Sequence, residues 1–248
     1  MQEKNKKMLK GKIIRRKDLT KDLWKIWIKP EEPISFEAGQ YCTIGVNGLE
    51  RPYSIVSAPD EELIELFIEL ITPPQGQLTP VIYELFEGSE VTIRKKTKGL
   101  FKLQEKFTNH IMVSTVTGVA PFVSMLRDGK ILRNPNYKTW ILEGASYIDE
   151  FGYDQEIQKF ANSNENIKFT PTCSRPSEIR NKNWNGSNGR VNEILKSVIN
   201  NIPNINKENT IIYACGHPEM VSDVARNYSR NFNFIEERFW KAEEVFKY

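Results

Sequence analysis

Arg51-Pro-Tyr-Ser-Ile-Val-Ser, residues 51–57, decides how the rest of the chain is read. An arginine, a tyrosine and a serine recur at alternating positions of a β-branched run, which puts all three on one strand face. A cation to meet a phosphate, a ring to stack and a hydroxyl to hydrogen-bond are what a flavin needs from the surface beneath it. The run gains its weight from two later stretches that come in a fixed order. Thr117-Gly-Val-Ala-Pro-Phe lies some sixty residues on, and Cys215-Gly-His-Pro-Glu-Met lies near the end.

Around this run the first hundred residues read as strands. Lys12–Arg16, Leu23–Ile28, Gln40–Val46, Pro52–Ser57, Leu63–Ile71 and Glu90–Arg94 are short and rich in β-branched or aromatic residues, with turn residues between them. One helix is expected at Thr79–Phe86, stopped by Gly88. Six such strands predict a six-stranded antiparallel β-barrel. The second half changes period. Strands Ile111–Thr115, Thr139–Glu143, Ile167–Cys173 and Thr210–Cys215 alternate with helices from Pro121 to Ile131, Asp149–Ala161, Val191–Val198 and Pro218–Tyr228. That alternation predicts a doubly wound α/β fold on a five-stranded parallel sheet, with its ligand crevice at the carboxyl ends of the strands. The expected domains are 1–104 and 105–248.

Composition narrows the function classes. The 248 residues are 39% apolar and 27% charged, as in ordinary soluble proteins, and no apolar run of about 18 residues spans a membrane. Met1–Lys12 is basic but lacks the apolar core of a secretion signal. Three scattered cysteines (Cys42, Cys173 and Cys215) and two histidines (His110 and His217) cannot supply an iron–sulfur cluster or a four-ligand zinc site. An odd, small number of cysteines fits a cytoplasmic location. Net charge is +3 but uneven. Residues 1–29 are basic, and Arg94, Lys95, Lys96, Lys98, Lys102 and Lys106 form a second cluster. No nucleic-acid-reading motif accompanies them, so the cluster is either a set of solvated strand faces or a dock for an acidic partner.

Three further motifs carry chemistry. Gly76-Gln-Leu-Thr79 opens the expected barrel helix, where free backbone N–H groups suit phosphate oxygens; a plain glycine turn with a threonine cap is the simpler alternative. Ser114-Thr-Val-Thr-Gly-Val-Ala-Pro121 ends a buried strand on small residues and starts a helix on proline. It lacks the GxGxxG fingerprint. Cys215-Gly216 ends another strand, and its thiol either faces a nicotinamide or is a small buried hydrophobe. His217 reads as a loop residue.

Taken in order, these pieces resemble the ferredoxin–NADP(+) reductase family, particularly its shorter bacterial ferredoxin/flavodoxin reductases. The resemblance rests on Arg51-x-Tyr53-Ser54, Gly76-x-Leu78-Thr79, Thr117-Gly-Val-Ala-Pro121, Cys215-Gly-x-Pro218-x-Met220 and the tail Glu237-Arg-Phe-Trp240. It implies FAD and NADP(H) as cofactors. Arg51 would bind FAD phosphate, Tyr53 would pack on the isoalloxazine, Ser54 would lie near flavin N5, and Ile55 would also bind FAD. Gly76, Gln77, Leu78 and Thr79 would hold the pyrophosphate, and Thr117 would touch the flavin from the second domain. Phe239 would cover the other flavin face and Trp240 would stack on adenine. On the nicotinamide side stand Gly118, Pro121, Cys215, Gly216, Pro218 and Met220. Ser174, Arg175 and Arg190 would meet a 2′-phosphate. Ser54, Cys215 and Glu237 form the implied catalytic set.

The implied reaction is hydride transfer from NADPH to flavin N5, with electrons passed singly to ferredoxin or flavodoxin by a monomer that binds neither nucleic acid nor membrane. Departures exist as well. Val116 stands where relatives commonly have glycine, Gly144-Ala-Ser146 lacks an arginine many relatives carry, and Lys241–Tyr248 extends past Trp240. Two other readings stay open: the reductase component of an oxygenase or a free-flavin reductase, and an inert nucleotide-binding module.

Overall fold

The computed structural model describes residues 8–238. Its first six strands are β1 (Met8–Asp18), β2 (Leu23–Pro30), β3 (Tyr41–Val46), β4 (Leu49–Ser54), β5 (Ile64–Glu69) and β6 (Glu90–Arg94). They form one antiparallel sheet in the order β4-β3-β6-β1-β2-β5. The two edges meet just beyond β4, where the Val56 amide donates to the Glu65 carbonyl at 2.9 Å, so the sheet is a nearly closed barrel. Inward side chains alternate along the strands. Leu9 and Ile13 of β1, with Val91 and Ile93 of β6, pack on Trp24, Ile26, Ile44 and Leu66. The short helix α1 (Thr79–Tyr83) plugs this core with Ile82. It ends before the expected Phe86, whose ring finds no apolar surface and stays 71% exposed.

The second sheet holds β7 (Asn109–Thr115), β8 (Lys138–Ala145), β9 (Ile167–Cys173), β10 (Ser187–Asn188), β11 (Thr210–Cys215) and β12 (Asn233–Glu237). All are parallel, in the order β10-β9-β8-β7-β11-β12. The expected five strands are therefore six. β10 is only two residues long, and β12 is a half-buried edge strand with no continuous apolar run to announce it. Helices α2 (Ala120–Arg127), α3 (Lys130–Arg133) and α4 (Asp154–Ser163) cover one face; α5 (Val191–Asn201) and α6 (Pro218–Tyr228) cover the other. The expected helix from Asp149 starts instead at Asp154. Only a 3-10 turn, Ile148–Glu150, precedes it.

Tyr153 explains that late start, because it is drawn into the seam between barrel and sheet. Its hydroxyl donates to Glu65 at 2.8 Å, and Arg127 meets the other oxygen of Glu65 at 2.6 Å while also pairing with Glu156 at 2.7 Å. Lys25 donates to the Gly152 carbonyl at 2.6 Å and lies 3.4 Å from the centre of the Tyr153 ring. Desolvation lowers the Lys25 ammonium to about 8. Leu23, Val56 and Phe67 of the barrel share one apolar core with Phe122, Val123 and Tyr213. Barrel and sheet are thus fixed against each other by apolar burial and by buried charges that each have a partner.

Candidate active site

β7 feeds α2 on one face of the sheet, and its neighbour β11 feeds α6 on the other. Neighbouring strands that part in this way open a crevice outside their carboxyl ends. Here the crevice is about 1810 Å³ and runs from the end of β4 and the 71–79 loop, across the turns after β7 and β11, to Ser174 and Arg190.

Ser54 and Cys215 line it, and Glu237, which is not among the lining residues, is tied to both of them. The Ser54 hydroxyl donates to the Glu237 carboxylate at 3.2 Å, joining the last residue of β4 to the last residue of β12. Cys215 is the register partner of Glu237 on β11. Burial, opposed by the Ser54 hydrogen bond, pushes the Glu237 carboxyl up to about 7. Burial and the nearby Glu237 also raise the Cys215 thiol well above its ordinary value, so it stays protonated.

The expectation that arginine, tyrosine and serine share one strand face is corrected. Tyr53 and Ser54 are consecutive, so a strand sends them opposite ways. Tyr53 packs against the barrel core, and its buried hydroxyl has no hydrogen-bond partner among the described residues. The serine at the alternating position, Ser57, is fully buried and donates to the Leu63 carbonyl at 2.6 Å. Arg51 is exposed at the crevice, where its guanidinium donates to the Gln77 side chain at 3.1 Å, linking two motifs far apart in sequence.

Gly76 lies where any Cβ would overlap the Ile71 carbonyl oxygen, so only glycine lets this loop fold back on itself. The Thr79 hydroxyl closes the same loop, accepting from the Ile71 amide at 3.0 Å and donating to the Ile71 carbonyl at 2.9 Å. The Leu78 side chain is buried in the barrel. What Leu78 and Thr79 offer the crevice is therefore backbone.

Thr117, Gly216, Pro218 and Met220 line the crevice, as do Ser174, Arg175 and Arg190. Gly118 does too, and a Cβ there would overlap the Cys215 carbonyl oxygen, so the two strand-end turns touch through this glycine. Arg175 is engaged: it donates to the Tyr147 hydroxyl at 2.7 Å and pairs with Glu178 at 3.7 Å. Arg190 has no ion-pair partner among the described residues. Besides Glu237, two expected site residues stand away from the crevice wall. Ile55 is a barrel core residue whose amide donates to the Gln40 carbonyl, and Pro121 is buried in the first turn of α2. Phe239, Trp240 and the segment 241–248 lie outside the described residues. His217 caps α6, accepting the Glu219 amide at 3.3 Å, and its own amide donates to Thr115 at 2.7 Å. The basic cluster is partly neutralised, since Lys95 pairs with Glu32 and Lys102 with Glu37.

Residues 112–226 match the oxidoreductase NAD-binding domain family. A flavodoxin/ferredoxin–NADP reductase of Buchnera aphidicola subsp. Baizongia pistaciae is 31% identical over 234 residues, spanning 90% of each chain. This chain belongs to that family. The corresponding Escherichia coli reductase is 29% identical over 86% of each chain. Among solved structures, a Neisseria gonorrhoeae ferredoxin NADP+ reductase with bound FAD and NADP superposes with a TM-score of 0.79, at 24% identity, over 94% of this chain and 99% of that one. A CDP-6-deoxy-L-threo-D-glycero-4-hexulose-3-dehydrase reductase of Yersinia pestis is 27% identical, spanning 86% of this chain and 61% of that one. As a family member the protein is an oxidoreductase. Among the described residues no helix is long and apolar enough to cross a membrane, and no cluster of side chains is arranged to hold a metal.

Thr115 and Val116 are the site residues that sequence reading undervalues. Thr115 reads as one more strand residue, and its link to His217 is visible only in three dimensions. Val116 stands out as a departure from relatives, but its backbone conformation leaves no signal in the sequence.

Proposed function

We propose that this protein binds FAD and NADP(H) and moves electrons between the dinucleotide and a one-electron carrier, ferredoxin or flavodoxin. The observation that carries the proposal is the Ser54–Glu237 hydrogen bond with Cys215 in register beside it, where Ser54 and Cys215 line a crevice reached by both nucleotide-type loops. The residues present fit a flavin. Tyr53 has an orphaned buried hydroxyl, the Gly76 loop is a cradle that a Cβ would fill, and Arg51 stands beside it.

A bound flavin supplies the hydride acceptor and the one-electron donor. The chain does the rest by orientation and electrostatics. Arg51 and the backbone of Gln77, Leu78 and Thr79 would hold the pyrophosphate, and Tyr53 would offer its ring to the flavin. Burial pushes the Glu237 carboxyl up to about 7 and the Ser54 hydroxyl donates to it, so a hydrogen-bonded pair would stand beside the reacting edge. Cys215, locked as a neutral thiol, gives the approaching nicotinamide a dry, uncharged surface. Packing against it would help orient the nicotinamide for transfer. Arg190, free of ion pairs, is the better candidate for a 2′-phosphate than Arg175.

The acceptor has a second reading. Likeness to the Yersinia reductase and the paired lysines at 95 and 102 both favour an acceptor other than ferredoxin or flavodoxin. Steady-state oxidation of NADPH and NADH with purified ferredoxin and flavodoxin decides between them. Turnover with either carrier supports the first reading; ferricyanide reduction with neither carrier active supports the second; a chain that takes up no FAD ends both.

A further inference from the structure

The turn after β7 holds a backbone conformation that its sequence does not favour. Val116 has φ +43°, in the left-handed region that suits glycine, and a β-branched residue there is a genuine outlier. Outliers of this kind persist only where the surroundings over-determine them. The surroundings do so here. Thr115 accepts the His217 amide at 2.7 Å, Gly118 abuts the Cys215 carbonyl, and the turn packs against both β5 of the barrel and β8 of the sheet. The backbone path would be met at lower cost by glycine. What valine adds is bulk. Its half-buried side chain rests on the core shared by barrel and sheet and lines the same crevice as Cys215.

We propose that Val116 is a specificity-determining residue: its isopropyl group narrows the crevice near Cys215 and limits how deeply the flat ring of a pyridine dinucleotide enters. The proposal rests on the electron-transfer function proposed for the crevice. The residue then trades dinucleotide affinity for control of entry, and side-chain size at 116, rather than backbone shape, sets the affinity.

The test is a size series, Val116→Gly, Val116→Ala and Val116→Ile, in the FAD-loaded full chain. Two quantities are measured: the Kd for NADP+ by titration, and the melting temperature without dinucleotide. The Kd is expected to fall from valine to alanine to glycine, by about threefold or more at each step, and to rise with isoleucine. V116G is expected to melt no lower than V116A, because glycine alone is at ease at this φ. A Kd that ignores residue size would overturn the inference while leaving the proposed function intact. V116G melting well below V116A would overturn the strain on which it stands. A wild-type chain that binds neither NADP+ nor NADPH would overturn both.

Discussion

Replacing Glu237 by glutamine removes one titrating proton from beside the crevice and leaves its shape almost unchanged. Glu237 is 8% exposed, and burial pushes its carboxyl up to about 7 from an ordinary 4.5, with the Ser54 hydroxyl at 3.2 Å pulling the other way. Between those values the folded chain holds a proton that the unfolded chain has released. Stability therefore falls as pH rises through the window, and the loss is complete above the folded value. At about 1.4 kcal/mol per pH unit, it accumulates to about 3 kcal/mol. Glutamine is neutral throughout and escapes it. Urea unfolding of both proteins, stripped of bound nucleotide, should give nearly equal stabilities near about pH 4. Near about pH 8, E237Q should be the more stable by up to about 3 kcal/mol. Glu69 and Glu143, also raised by burial, titrate in both proteins and cancel from the difference. A stability difference that does not change with pH would refute the reasoning.

Two other substitutions probe separate parts of the molecule. Arg190→Ala should raise KM for NADPH about tenfold or more and leave KM for NADH nearly unchanged, with Arg175→Ala weaker because Tyr147 and Glu178 already engage that side chain. Equal effects on the two nucleotides would remove the phosphate assignment. Arg127→Met strands Glu65, whose side chain is 3% exposed, and should cost about 3–5 kcal/mol in urea unfolding. A loss below about 1 kcal/mol would mean that the seam is wet and its charges screened.

Much of this architecture was legible in the chain. The barrel strands alternate inward and outward because one face is buried, and that period is written into β1 and β6. The central strands β7 and β11 are buried on both faces, so they read as apolar runs. β12 was not legible, since an edge strand with one covered face needs only scattered apolar residues, and Asn-Phe-Ile-Glu-Glu supplies few. Motif order located Ser54, Cys215 and Glu237, but their meeting depends on three strand ends arriving at one point. The error at Arg51–Ser57 has a local cause: β4 ends at Ser54, and the period that would have aimed Ser57 at the crevice ends with it. Nothing in the sequence distinguishes Lys25, Glu65 and Arg127 from surface charges. Their burial is a property of the seam.

At the Ser54–Glu237–Cys215 point, on this reading, a pyridine dinucleotide reduces a bound flavin. Rapid anaerobic mixing of the FAD-loaded chain with NADPH, monitored through the flavin's visible absorbance, tests it directly. Prompt bleaching is expected, slowed about tenfold or more by Ser54→Ala with flavin content unchanged. Absorbance that NADPH leaves untouched, or bleaching indifferent to the loss of the Ser54 hydroxyl, would contradict it.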